Sequence, residues 1–158
     1  MDRLSISASV KGLLAASDAF TDFVNDDSSA PRYLKDLQAE ALSTKIILSG
    51  LQRYVEKLVS APRSRAVLIP VEDVVTVMTQ LVLLYSEIED FILSYRAAAR
   101  IDKYAALTNF DEGQRVVSER LLEQLHRHKT SLSVVLQIIQ WWVLTNCNVD
   151  YAKIIQCI

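Results

Sequence analysis

Residues 34–58, LKDLQAEALSTKIILSGLQRYVEKL, place Leu34, Leu37, Ala41, Thr44, Leu48, Leu51, Val55 and Leu58 at alternating steps of three and four. That spacing keeps one narrow stripe on a single side of a helix for more than three heptads. The same stripe recurs on either side of it. An earlier segment carries Ile6, Val10, Leu13, Ser17, Phe20 and Val24. A later one carries Val71, Val74, Met78, Leu81, Tyr85, Ile88, Ile92 and Tyr95, and a last one carries Leu121, Leu125, His128, Leu132, Val135, Ile139 and Trp142. Four such stripes bury one another at shallow crossing angles, so the expected fold is all-α, an antiparallel four-helix bundle with room for one extra short helix.

The breaks set the boundaries. Asn25 to Ala30 is a polar turn before Pro31, whose fixed φ and missing N–H suit a helix start. Pro62 and Pro70 bracket a second connection, after which Glu72 and Asp73 stand where the positive end of a helix dipole favours them. The expected helices cover residues 3–25, 31–60, 70–99 and 114–145 of one domain spanning 1–158, with 146–158 as a short tail. Asn146 to Asp150 is the expected end of the last helix. The stretch from Arg100 to Gly113 reads either as a loop or as the extra helix.

Composition narrows the function. The 158 residues are 51% hydrophobic and 23% charged, with a formal net charge of −2. No long Lys/Arg block is present, so a nucleic-acid partner is not expected. Three glycines and three prolines are few for a chain of hairpins. Cys147 and Cys157 lack metal or redox spacing and read as reduced thiols of an intracellular protein. Lys11 cuts the first apolar stretch below the length of a signal-peptide core. The charge-free run from Thr130 to Val149 is interrupted by Gln137, Gln140, Asn146 and Asn148, which argues against a transmembrane helix.

No catalytic constellation emerges. His126 and His128, two apart on a helix, point to different faces and cannot share a metal. His128 reads as a hydrogen-bonded core histidine, and Glu87, Glu89 and Asp90 as a solvated acidic face. Gly12, Gly50 and Gly113 are isolated, so no phosphate loop is present. No enzyme, cofactor or metal is expected.

Two features suit a membrane. The opening MDRLSISASVKGLLAASDAFTDFV has Lys11 as its only charge between Leu4 and Ser17, and Ala8, Gly12 and Ala16 share a face that another helix can approach closely. Such a segment packs against a bundle in water or, once released, against copies of itself at a membrane. Arg96, Arg100 and Lys103 form a candidate patch for anionic headgroups, with ordinary solvated charge near a helix C-terminus the stronger reading. Trp141 and Trp142 are candidate interfacial anchors, with core packing the stronger reading for Trp142.

MDRLSISASVKGLLAAS, SRAVLIPVEDVV and LLEQLHRHKTSLSVVLQIIQ, taken in order, resemble the fungal N-terminal domain of STAND (NOD-like receptor) proteins, the HeLo-like group, over about residues 1 to 140. The resemblance implies a helical executioner bundle in innate immunity or heterokaryon incompatibility, clustered by a STAND receptor or an amyloid-signalling partner. Clustering would release the first helix from a cytoplasmic protein to the plasma membrane, with Leu4, Ile6, Ala8, Val10, Lys11, Gly12, Leu13, Leu14 and Ala16 as the inserting segment and self-association through Ala8, Gly12 and Ala16. Lys11 departs from the usual small or apolar residue there. Leu4 to Ser17 also rises only about 21 Å against a core of about 30 Å, which favours shallow insertion or an oligomer. The competing expectation is an adaptor that only sets oligomeric state.

Overall fold

A computed structural model describes residues 3–28, 30–59, 71–101 and 109–155. Among them run four helices: α1 (Arg3–Asp26), α2 (Arg32–Val59), α3 (Val71–Ile101) and α4 (Asn109–Ile155). They form the expected all-α bundle.

Each stripe faces the core. Ile6, Val10, Leu13, Ser17, Phe20 and Val24 of α1 are all buried, as are Leu34 through Val55 at the stripe positions of α2. Val74 through Ile92 do the same for α3, and Leu121, Leu125, Leu132, Val135 and Ile139 for α4. His128 and Tyr95 sit at the edges of their stripes and are half-buried. The side chains of Leu58, Val71 and Trp142 lie outside the described residues.

Contacts between particular side chains give the helix directions. Ser17 reaches Ala41 while Thr21 reaches Gln38, so α1 and α2 run antiparallel. Tyr33 meets Ser118, Glu40 meets His126, and Gly50 lies against Leu136, so α2 and α4 run parallel. Phe23 packs edge-on against Tyr95 and Ser17 neighbours Tyr85, so α1 and α3 are parallel as well. The chain therefore alternates direction, yet the principal contacts form a ring α1–α2–α4–α3. Consecutive helices α2 and α3 stand diagonally.

Three boundaries differ from expectation. Pro31 precedes the helix, its carbonyl accepting from Leu34 N (3.1 Å) and Lys35 N (3.3 Å), so it fills the half-in flanking position and not the first helical one. The last helix begins at Asn109, five residues before the expected 114, because Gly113 is accommodated without a positive φ. It also runs through Asn146–Asp150 to Ile155, so most of the expected 146–158 tail is helical. The run NCNVD contains only weak helix formers, at about 0.5–0.7 kcal/mol each, and no proline to stop propagation. Of the Arg100–Gly113 stretch, read as a loop or an extra helix, residues 102–108 lie outside the described residues, as do 156–158.

Candidate functional site

The expected inserting segment of α1 divides into two sides. Ile6, Val10 and Leu13 are buried, Leu14 and Ala16 are half-buried, and Ala8, Lys11 and Gly12 are exposed. The side chain of Leu4 lies outside the described residues. A Cβ added at Gly12 would meet nothing within 4 Å. Ala8 and Gly12 therefore look away from the bundle while Ala16 packs partly against it, and Ile6, Val10 and Leu13 are committed to its core.

From Ser17 onward α1 is held to α2 by polar groups. Ser17 Oγ donates to Ala41 O (3.4 Å), Asp18 pairs with Lys45, and Gln38 Nε2 donates to Thr21 O (3.1 Å) and Asn25 Oδ1 (2.9 Å). Burial raises the pKa of Tyr85 above its ordinary value of 10.0, and the neighbouring Ser17 hydroxyl pulls it part of the way back. Tyr85 Oη itself is buried without a hydrogen-bond partner. At the far end Tyr95 Oη donates to Asp27 Oδ2 (3.2 Å), and the Phe23 ring stands 6.1 Å from Tyr95 at 79°.

Of the candidate lipid patch, only Arg96 is described to its tip. Its guanidinium lies 4.5 Å over the Phe23 ring, a cation–π contact on an exposed edge. The side chain of Arg100 and the whole of Lys103 lie outside the described residues. The basic residues of α4 are matched by carboxylates instead. Arg120 reaches Glu87 (3.2 Å), Arg127 reaches Glu123 (2.7 Å), and Arg115 lies between Glu112 and Glu119. Lys129 and His126 converge on Glu40 Oε1 at 2.6 and 3.0 Å, and Glu40 and Lys129 are both mostly buried. His128 has its pKa lowered, first by burial and then by Arg127.

Among the described residues no three His, Cys, Asp or Glu gather as metal ligands, and no helix is long and apolar enough to cross a membrane. A groove of about 330 Å³ runs between α1 and α3, floored by Phe20, Ile88 and Ile92. One side of α3 escaped the reading by stripes. Val82, Leu83 and Leu93 are 42%, 62% and 60% exposed, and no charge occurs from Val74 to Ser86. That uncharged run was the available signal, hidden because a single stripe per helix already accounted for a core. Val134, Ile138 and Trp141 of α4 are similarly exposed. No protein family, curated protein or solved structure matches the chain.

Proposed function

We propose that this chain is a non-enzymatic effector domain of the HeLo-like kind, which kills or signals when copies are clustered and α1 perturbs a membrane. The observation that carries this reading is the two-sidedness of α1. One face is an apolar surface now spent on the core, and the other offers Ala8 and Gly12 to solvent, with Ala16 half-buried at its edge. If α1 leaves the bundle, the face holding Ile6, Val10, Leu13, Phe20 and Val24 suits the headgroup–acyl boundary, where an amphipathic helix lies in plane. No single span is needed for that. The proposed partners are a second copy, anionic lipids of the plasma membrane and a clustering receptor of the STAND or amyloid-signalling type, with the resting protein in the cytoplasm.

Fusing the chain to a domain that dimerises on demand tests the proposal, with leakage of anionic liposomes and cell viability as readouts. Leakage on clustering is the expected result, stronger for Lys11→Leu and lost for Gly12→Leu. Sealed liposomes and healthy cells at concentrations where the chain self-associates would overturn it. An adaptor without membrane activity is the second reading, favoured by the exposed ridge Val134, Ile138 and Trp141 on α4. Changing Ile138 to Glu should then abolish receptor binding while Gly12→Leu leaves it intact.

A further inference from the structure

We infer that α3 carries a second, outward-facing seam on which another copy of this chain docks antiparallel, about a two-fold axis level with Leu84. The seam starts at Glu72 and ends at Arg96, with steps of 3-4-3-4-3-4-3. That sequence of steps reads identically in both directions, as does any 3-4 stripe of an odd number of steps, and so is compatible with an isologous helix pair. The chemistry is complementary at the outer two pairs of the same register. Glu72 falls opposite Arg96 of the second copy, and Val75 opposite Leu93. Thr79 falls opposite Glu89, and Val82 opposite Ser86. Each pair occurs twice across the axis, so the contact would contain two ion pairs at its ends and two small-with-apolar pairs at its centre.

The surroundings fit this occupant. Every position in the seam is exposed except Val75, which is half-buried. Thr79 Oγ1 and Ser86 Oγ donate to the carbonyls of Val75 (2.8 Å) and Val82 (3.1 Å), so covering them strands no hydroxyl donor. The groove beside the C-terminal half of α3, lined by Ala16, Ala19 and Phe23 of α1, leaves room for the N-terminal half of the other α3. From Glu72 to Arg96 the seam is about 36 Å long. Helices meeting on a 3-4 seam cross at about 20°, shallow enough to stay in contact over that length. This gives self-association a surface, and it stands on α3 alone. Its failure would leave the liposome result unaffected.

The full chain, with Cys147 and Cys157 replaced by serine, serves for the test. Sedimentation over a series reaching about 100 μM should show a dimer. Glu72→Arg alone sets like charges against Arg96 of the second copy and should weaken dimerisation by about fivefold or more, and adding Arg96→Glu should restore it. Mild oxidation of a mixture of Val82→Cys and Ser86→Cys chains should give the mixed covalent dimer, with little from either chain alone, since a disulfide needs closely facing Cα atoms. Circular dichroism confirms that each variant is folded. A monomer throughout the series would overturn the proposal and leave the face to a different protein. A dimer indifferent to the charge exchange, or one in which Val82→Cys cross-links to itself as readily as to Ser86→Cys, would overturn it too.

Discussion

Gly12 sits mid-helix with open space where a side chain would go, and its backbone has ordinary helical φ. Glycine there costs about 1 kcal/mol relative to alanine, so Gly12→Ala should raise unfolding free energy by about 0.5–1 kcal/mol in a urea titration. Gly12→Leu should also fold, which makes it a clean probe of any assembly through that face. Gly50 differs, because a Cβ there would touch Leu136 Cδ2 at 3.4 Å across the α2–α4 contact. His128 gives a pH signature. Its folded pKa lies below the ordinary 6.5, so the unfolded chain takes up the proton first as pH falls. The stability tied to neutral His128 is full above about pH 6.5 and is lost as pH drops toward the folded value. Urea midpoints at about pH 7.5 and 5.5 should differ less for His128→Gln than for the parent.

At the scale of helices, the α2–α4 contact holds an ion pair sheltered from water. Replacing Glu40 with Gln strips Lys129 of its carboxylate where it is largely buried, and should cost about 1–3 kcal/mol. Glu123→Gln, which breaks an exposed pair with Arg127, should change stability by less than about 0.5 kcal/mol in the same denaturant assay. Leu48→Ala and Leu125→Ala, both at fully buried positions, should cost about 2–5 kcal/mol each. The stripes that predict these costs were legible because core burial leaves a direct imprint on apolar spacing. Helix ends were less legible. Asn146–Asp150 looked like a terminus, but cooperativity carries a helix across several mediocre residues. The outer seam of α3 was missed for a different reason. Its members are Thr, Ser, Glu and Arg more often than Val or Leu, and the match of its outer pairs shows only when the helix is set against its own reverse.

For the molecule as a whole, the four stripes were readable and the ring order was not. A 3-4 stripe serves any neighbour, and only pairs such as Glu40 with Lys129 or Phe23 with Tyr95 decide which helices touch. The functional expectations about α1 rest on which face each residue takes, and burial divides that segment more sharply than its hydrophobicity does. The 47 residues of α4 extend about 70 Å against about 36 Å for α1, so α4 runs on beyond the level where α2 ends.

The diagonal placement of α2 and α3 has its own consequence. Helices α1 and α2 form one antiparallel hairpin and α3 and α4 another, and the two hairpins dock through α1 with α3 and α2 with α4. One covalent link, between Val59 and Val71, joins them. A chain divided there would retain every interhelical surface, half on each piece. Fragments 1–64 and 65–158 expressed separately should therefore recombine into a native-like complex, detectable as a cooperative thermal transition present only in the mixture. Two intact chains that traded hairpins would keep the same contacts, so a shortened link should shift the protein toward an exchanged dimer at high concentration.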